Sequence, residues 1–247
     1  MSSRQMFLKY INTRYVIFLS LLLLIVCALS CKPVNRDKDN NIFRMALSSE
    51  PPTLDWNLAT DSISIRVIEN IMEGLTQFDQ DLNPVPAVAK GWKVSDGGRT
   101  YTFDLRDTVY WSDGKMVTAH DFEYGWKRLL NPATASQYAY FLYDIANAYE
   151  YNSGQLKDPS LLGVKAINDT TLQVRLRRPV VYFPSITAFT ATFPMRKDIV
   201  ERYGDRWTEP GNIVTNGPFL LKEWRHEYSL TLTANKDYFG ERPRLDA

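Results

Sequence analysis

Hydrophobic and polar residues alternate with a period of two in separate parts of the chain, and each such part predicts a β-strand with one buried face. The apolar positions of the two longest runs are Tyr101, Phe103 and Leu105 in the first, and Leu172, Val174 and Leu176 in the second. A shorter alternation at Leu230 and Leu232 predicts a last strand. The apolar segment from Ile42 to Leu47 predicts a first one.

Apolar residues spaced by three and four positions predict two amphipathic helices. The first helix begins at Ser62 or Ser64 as N-cap, and its apolar face consists of Ile68, Ile71, Met72 and Leu75. The second follows a capping box formed by Thr118 and Asp121. Its apolar stripe consists of Phe122, Trp126, Leu129 and Leu130, and Asn131-Pro132 ends it. Interleaved strands and helices favour an α/β organisation over an all-helical or sandwich fold.

The N-terminus predicts an export signal. Three basic residues are followed by an uncharged apolar segment from Tyr15 to Leu29 that is shorter than the ~20 apolar residues of a membrane-spanning helix. Ala28-Leu29-Ser30-Cys31 resembles a bacterial lipobox, in which the cysteine thiol takes a diacylglyceryl group and becomes the new N-terminus. We therefore expect a signal peptide at 1–30, lipidation of Cys31 and a flexible polar tether at 31–41.

Charge and composition exclude several classes of function. The 29 basic and 28 acidic residues nearly balance, and no basic cluster follows residue 41, so we expect no nucleic-acid partner. Both cysteines, Cys27 and Cys31, lie near the leader, which excludes a disulfide framework in the remainder.

The two histidines, His120 and His226, accompany no sequence motif of a hydrolase, a zinc site or a phosphate-binding loop. Asp121 and Glu123 stand close together, but charge–dipole interaction in the first helical turn explains them. We therefore expect neither catalysis nor a metal or other cofactor.

The run from Trp92 to Pro132 has an order of parts that is typical of peptide-transport receptors: an Asp-Gly turn, an alternating strand, a second turn at Ser112-Asp113-Gly114 and a capped helix. Two further blocks, 163–167 and 207–217, follow in the same order as in those receptors. On these blocks the chain resembles family 5 of the ABC-transporter solute-binding proteins, the oligopeptide-binding (OppA-like) lipoproteins. The resemblance covers nearly all of residues 42–247.

This resemblance implies an α/β fold of the periplasmic-binding-protein type. The first lobe would be discontinuous, formed by 42–72 and 195–247, with 73–194 inserted as a smaller α/β domain. Members of the family carry a third lobe downstream, which closes on the ligand by a hinge motion, and we expect that lobe to be absent from this chain.

The resemblance also implies where ligand binds. Tyr138 falls where OppA-like proteins have a tyrosine that lines the peptide cavity. The segment Thr60-Asp61-Ser62 corresponds to a cavity-edge stretch that contacts the ligand backbone, and because its side chains differ from those of the family, only backbone roles carry over. The other aromatic residues near Tyr138 are expected to pack the inserted domain; they are Tyr140, Phe141, Tyr143, Tyr149 and Tyr151.

The function implied is that of a monomeric, exported lipoprotein, facing the periplasm or the cell exterior, that captures short peptides for an ABC permease. Main-chain recognition by strand-like hydrogen bonds would let it accept varied ligands. The alternative is a truncated surface interaction or signalling lipoprotein that is no longer active in transport. An exported hydrolase would need a catalytic constellation that the sequence does not contain.

Overall fold

The structure, a computed structural model, describes residues 41–247. The predicted signal peptide, Cys31 and the tether up to residue 40 lie outside the described residues. Within the described part of the chain, no helix combines the length and the apolar character that a membrane crossing requires.

Short strands and helices alternate along the chain. The strands are β1 (Thr76–Phe78), β2 (Pro84–Pro86), β3 (Ala89–Ser95), β4 (Thr100–Leu105), β5 (Val164–Asn168), β6 (Thr171–Arg175), β7 (Phe219–Arg225) and β8 (Ser229–Ala234). The α-helices are α1 (Ser62–Ile71), α2 (Ala119–Leu130), α3 (Ala148–Asn152), α4 (Phe183–Ile186) and α5 (Lys197–Tyr203). Several single 3₁₀ turns connect these elements.

The largest sheet has four antiparallel strands in the order β3-β4-β6-β5. Phe103 on β4 lies opposite Trp92 on β3 and Leu172 on β6, so these side chains share one face of the pleat. Helix α2 packs against β5 and β6. The pairs β1-β2 and β7-β8 are also antiparallel. The α/β organisation is therefore a mixture of helices and antiparallel strands over the described residues.

The two predicted alternating strands are confirmed as β4 and β6. Phe103 and Leu105 of β4, and Leu172 and Val174 of β6, are fully buried. The predicted last strand is confirmed as β8. Each large apolar side chain that is buried in this way contributes ~1.5–3 kcal/mol to folding.

The prediction of a strand at Ile42–Leu47 is wrong. The segment is not part of any sheet and makes only isolated backbone bonds: Phe43 N donates to Ala247 O at 2.9 Å, and Asp246 N donates to Asn41 O at 2.9 Å. An apolar run becomes a strand only when a continuous partner strand pairs with it. Here two hydrogen bonds with 246–247 do not form a ladder.

The predicted capping box of α2 is confirmed. The Asp121 carboxylate accepts a hydrogen bond from Thr118 N at 2.8 Å and from the Thr118 hydroxyl at 3.1 Å. It also accepts one from Trp111 Nε1 at 3.2 Å, which joins the helix start to the preceding turn. The predicted apolar stripe is fully buried, namely Phe122, Trp126, Leu129 and Leu130.

The predicted N-cap of α1 is wrong by one residue or more. Asp61 is the cap, and its carboxylate accepts from Ile63 N at 3.0 Å and Ser64 N at 2.8 Å. Ser62 and Ser64 are inside the helix because aspartate is at least as good an N-cap as serine and precedes both. Leu75, which was predicted on the apolar face, is buried beyond the helix end at Ile71.

The segment after α1 is joined to the chain before β7 at one junction. The Asn216 side-chain oxygen accepts a hydrogen bond from Glu73 N at 2.9 Å, and the Asn216 side-chain NH₂ donates one to Glu73 O at 3.2 Å. Gly217 N donates to Ile71 O at 2.9 Å. The Tyr238 hydroxyl donates to the Glu73 carboxylate at 2.6 Å. Three of these hydrogen bonds fix the segment after α1 to residues 216–217, and the fourth joins it to Tyr238, beyond β8.

Replacing Tyr238 by phenylalanine is expected to lower the free energy of unfolding by ~1–3 kcal/mol at pH 7, because the buried Glu73 carboxylate loses its donor. Burial raises the pKa of Glu73, and the Tyr238 bond lowers it in part. Without that bond the pKa rises further, so the cost of the substitution shrinks as the pH falls through the folded-state pKa of Glu73. Urea unfolding from pH 7 to pH 4 measures both effects.

The matched control for this substitution is Tyr228→Phe. Tyr228 is 82% exposed, and its hydroxyl makes no hydrogen bond with any described residue. Removing that hydroxyl is expected to change the free energy of unfolding by less than ~0.5 kcal/mol. Equal costs for the two substitutions would show that the Tyr238–Glu73 bond does not stabilise the junction.

Candidate functional site

Tyr138 and Thr60, which lie far apart in sequence, meet at one surface loop. The Tyr138 hydroxyl donates to Thr60 O at 3.2 Å. The Ser136 hydroxyl donates to Asn57 O at 2.5 Å and accepts from Tyr138 N at 3.2 Å. The turn that carries Ser136 requires Ala135 in the left-handed region, with φ of 52°. These bonds attach segment 136–138 to the loop that precedes α1.

Tyr138 belongs to a group of four aromatic rings, which we call the Tyr138 cluster: Tyr138, Tyr140, Phe141 and Phe189. The ring of Tyr138 makes edge-on contacts with Phe141 at 5.5 Å and Phe189 at 5.1 Å between centroids. Phe141 also stacks with Tyr140 at 4.5 Å. Tyr140 is 54% exposed, so this cluster extends to the protein surface.

The remaining tyrosines of this segment lie elsewhere. Tyr143 and Tyr149 form a separate edge-on pair with ring centroids 5.3 Å apart. The Tyr143 hydroxyl bonds to Asn152 of α3, and Tyr151 is buried. The Tyr138 cluster is therefore a distinct group rather than part of one continuous aromatic surface.

A nearly buried ion pair holds the loop in place. Arg128 at the end of α2 bonds to both carboxylate oxygens of Asp55, at 2.9 Å and 2.6 Å, and to the Asn57 side-chain oxygen at 3.0 Å. Asn57 in turn donates its side-chain NH₂ to Ala191 O at 3.0 Å. A bidentate guanidinium–carboxylate pair is strongly directional, so the position of loop 55–60 depends on α2.

The backbone of this loop keeps unused hydrogen-bonding capacity. The amides of Leu58 and Ala59 both donate to Asp55 O at 2.8 Å. The Thr60 amide donates to no other described residue, and the Leu58 side chain is 40% exposed beside it. A loop with an unpaired amide and an adjacent apolar side chain is able to bind an extended main chain.

The other two predicted ligand contacts have different surroundings. The Asp61 carboxylate is engaged as the cap of α1, and although partial burial acts to raise its pKa, the bonds from Ser64 and Ile63 outweigh burial and lower that pKa. Ser62 is exposed at the first position of the helix. The structure thus joins Thr60 to Tyr138 directly, whereas the Asp61 side chain serves the helix.

Neither histidine stands in a catalytic arrangement among the described residues. His120 Nε2 lies 3.6 Å from Asp169, with both side chains exposed. His226 is bonded between Glu50 and Glu209. No three His, Cys, Asp or Glu side chains of residues 41–247 are grouped so as to hold a metal ion. The Asp121 carboxylate caps α2, and Glu123 accepts from Ala166 N at 2.8 Å.

Sequence reasoning missed Arg128, Asn57, Ser136 and Phe189. Asn57 and Ser136 belong to no sequence motif. The sequence contains only one clue to each, namely that Asn57 lies three residues before Thr60 and Ser136 two residues before Tyr138. Arg128 reads in sequence as an ordinary basic residue at a helix end. Its contact with Asp55 spans 73 positions, and no local pattern reports such a distance.

Comparison with known proteins decides the family. The sequence model described as bacterial extracellular solute-binding proteins, family 5 Middle, matches residues 83–247. The chain belongs to family 5 of the bacterial extracellular solute-binding proteins. The predicted resemblance is thereby confirmed.

The family 5 protein is 42% identical over 208 residues to oligopeptide-binding protein OppA of Bacillus subtilis, which covers 83% of this chain and 37% of the relative. The substrate-binding domain of an oligopeptide ABC transporter from Bacillus anthracis superposes with a TM-score of 0.78 at 39% identity, covering 81% of this chain and 39% of that one. Listeria monocytogenes OppA bound to peptide gives a TM-score of 0.77 at 34% identity, covering 81% and 40%.

The family 5 protein therefore spans about two fifths of the length of these relatives. The mixed fold of its described residues is that of the matching part of a periplasmic-binding-protein-like structure. Tyr138 lies within the residues 83–247 that the family model matches, whereas Thr60 lies before them. The roles of both residues in ligand binding remain predictions.

Proposed function

We propose that this chain is an extracytoplasmic substrate-binding lipoprotein, not an enzyme, that captures short peptides for uptake by an ABC transporter. The hydrogen bond from Tyr138 to Thr60 carries the proposal, because it places an aromatic cluster beside a loop with a free amide. Such a loop pairs with the main chain of an extended peptide, while the rings contact its side chains. The similarity to OppA of Listeria monocytogenes bound to peptide supports this.

The lobe assignment is part of the same proposal. Segments 42–72 and 195–247 form a first lobe, with 73–194 inserted between them. The bonds of Asn216 with Glu73 and of Gly217 with Ile71 support it, since they attach the second segment of the lobe to the first crossing, at 72–73. The second crossing, at 194–195, lies close by, because a Cβ on Gly74 would lie 2.7 Å from the Phe193 ring. Solvent-protection patterns in native-state hydrogen exchange test the assignment, and one cooperative unit without a division near 72 and 195 would contradict it.

Photocrosslinking tests the peptide site in the chain as it stands. A pentapeptide with a central benzoylphenylalanine is irradiated with the full chain, and labelled residues are mapped by mass spectrometry. We expect labels within 58–61 and 138–141, displaced by unlabelled pentapeptide but not by a mixture of free amino acids. Tyr138→Ala is expected to reduce labelling about tenfold, as a central aromatic contact of ~1.4 kcal/mol or more would.

Tyr149→Ala is the matched control, because Tyr149 is 45% exposed and lies outside the Tyr138 cluster. It is expected to leave labelling unchanged. Circular dichroism of each variant confirms that the chain is folded. Labels scattered over the surface, or equal loss of labelling in both variants, would contradict a peptide site at Tyr138.

The lipid anchor is tested by the intact mass of protein extracted from its native membrane. We expect a species that begins at Cys31 and carries acyl chains, since more than one chain is needed for stable anchoring. Cys31→Ala is expected to keep its leader and to carry no lipid, because both processing steps need the thiol. Wild-type protein without acyl chains would exclude the lipoprotein assignment.

A further inference from the structure

A second candidate binding site lies away from the Tyr138 cluster, in an open cleft of about 360 Å³. Its wall is formed by the segment before the first helix, the turn after α5 and the start of the β7-β8 turn. The residues that define its chemistry are Glu50, Asp205, Thr208, Glu209, Trp224 and His226. This volume lies at the lower end of the range of small-molecule sites, which is ~300–1,000 Å³.

The three carboxylates of this cleft differ in how far their oxygens are used. Both oxygens of Glu50 are in use: one bonds to His226 Nδ1 at 2.6 Å and the other accepts from Glu227 N at 2.8 Å. Glu209 has only a long contact of 3.4 Å, from one oxygen to His226 Nε2. Asp205 makes no ion pair with any described residue. Two carboxylates are therefore available to a positively charged partner.

Two uncharged groups in the wall also point to a ligand. Thr208 is only 7% exposed, lines the cleft, and makes no side-chain hydrogen bond with any described residue. The Thr208 oxygen itself is open to the cleft rather than buried, so it is free to bond to a bound molecule. Trp224 lies against His226 with ring centroids 4.5 Å apart. Its indole is the aromatic surface that best attracts a cation.

We propose that this cleft binds an organic cation, namely a guanidinium or primary ammonium group on a short aliphatic chain, between Asp205 and Glu209 and against Trp224. A carboxylate pairs with a guanidinium through two parallel hydrogen bonds, and an indole face adds cation–π attraction. The site is independent of the peptide-binding proposal, since it shares no residue with the Tyr138 cluster. The cation is carried either by a small free amine or by a basic side chain of another protein.

His226 competes with the proposed ligand. Its hydrogen bonds to Glu50 and then to Glu209 raise its pKa, so the protonated ring persists above the ordinary value near 6.5. The other charged residues in the cleft lining or next to it in sequence are Glu50, Asp205, Arg206, Glu209, Glu223, Arg225 and Glu227, of which Glu223 and Arg225 pair with each other. When His226 loses its proton, the cleft loses one positive charge, and Glu209 is released from its hydrogen bond with the imidazole ring. Cation binding is therefore expected to tighten as the pH rises from 6 to 8.5.

Isothermal titration of the full chain with agmatine, which carries both cationic groups and no carboxylate, tests the proposal. We expect saturable one-site binding at pH 8 and none with the neutral analogue N-butylurea. Asp205→Asn and Glu209→Gln are each expected to weaken binding about tenfold, equivalent to ~1.4 kcal/mol. Both residues lie in a surface turn, so folding is expected to be retained, and circular dichroism checks this.

Glu201→Gln is the matched control, since Glu201 is an exposed carboxylate on α5 outside the cleft. It is expected to leave agmatine affinity unchanged. A second arm uses acetyl-Gly-Arg-Gly-amide on the Tyr138→Ala background: binding as tight as that of agmatine assigns the site to a protein side chain, and binding of agmatine alone assigns it to a free amine. Failure of both ligands to bind, or equal losses with Glu201→Gln and Glu209→Gln, would overturn the proposal.

Discussion

Arg128→Met is expected to lower the free energy of unfolding by ~3–5 kcal/mol, which is the cost of leaving a buried charge without its partner. The Asp55 side chain is 8% exposed and receives both guanidinium bonds, so no water replaces the lost donor fully. Methionine keeps most of the aliphatic volume of arginine but removes the cation, and leaves the carboxylate with only the uncharged donors Asn57 N at 3.0 Å and Trp207 Nε1 at 3.4 Å. The measurement is the urea midpoint at pH 7, with the m-value as a check on the denatured state.

Two further variants separate the ion pair from general damage to α2. Lys127→Met removes the neighbouring cation, whose bond to Glu123 joins positions i and i+4 of the same helix, and is expected to cost less than ~1 kcal/mol. Arg128→Met combined with Asp55→Leu is expected to recover part of the loss, because no unpaired charge remains. A double variant that is as unstable as the sum of its single variants would show that the two residues are not coupled.

The same substitution is expected to affect ligand capture. Arg128 also bonds to Asn57, which accepts from Ser136, and Ser136 in turn orients Tyr138. Arg128 is therefore a positioning residue, and it touches no part of the proposed peptide site directly. Photocrosslinking at a temperature where Arg128→Met is still folded is expected to give labels spread beyond 58–61. Unchanged labelling would mean that loop 55–60 holds its position without the ion pair.

Gly217→Ala is expected to lower the free energy of unfolding by ~1–3 kcal/mol or more, through crowding at the junction of the two segments. A Cβ at this position would lie 2.5 Å from Met72 N and 2.7 Å from Ile71 O. Both are backbone atoms, and the Gly217 amide is bonded to Ile71 O, so the strain is not relieved by a side-chain rotation. Separating the segments would weaken the bonds between Asn216 and Glu73 as well.

Gly91→Ala is the matched control, because a Cβ on Gly91 would meet no heavy atom within 4 Å. It is expected to change stability by less than ~1 kcal/mol. Thermal and urea unfolding of both variants provide the comparison. Equal stability of Gly217→Ala and the parent chain would show that the two segments separate without cost.

The sequence predicted the strands and the helix that are set by patterns among neighbouring residues. Strands β4 and β6 follow from the alternation of apolar residues, and α2 from a capping box and a stripe that ends at a proline. The N-cap of α1 was misplaced because Asp61, Ser62 and Ser64 are all competent caps in a short interval. Asp61 is the cap because it precedes both serines, and its carboxylate bonds to Ile63 N and Ser64 N.

Features that depend on contacts between residues far apart in sequence were not predictable. Residues 42–47 are apolar except for Arg44, but the backbone bond of Phe43 depends on Ala247 at the other end of the sequence. The position of Thr60 depends on Arg128 and that of Tyr138 on Phe189, and neither pair has a sequence signal. Thr60 and Tyr138 entered the predicted site through family resemblance, and local chemistry alone would have left them as a threonine in a loop and one tyrosine among many.

The junction at Glu73 and Asn216 has a consequence for how such a protein changes over evolutionary time. Residues 72–216 comprise the proposed inserted domain 73–194 and part of the first lobe, and the residues that flank them, Ile71 and Gly217, are hydrogen-bonded to each other. When the two ends of a segment lie side by side, the segment can be replaced without moving the backbone on either side of it. A replacement unit would also have to supply the contacts of Arg128 with Asp55 and of Ser136 with Asn57, which hold loop 55–60 outside it.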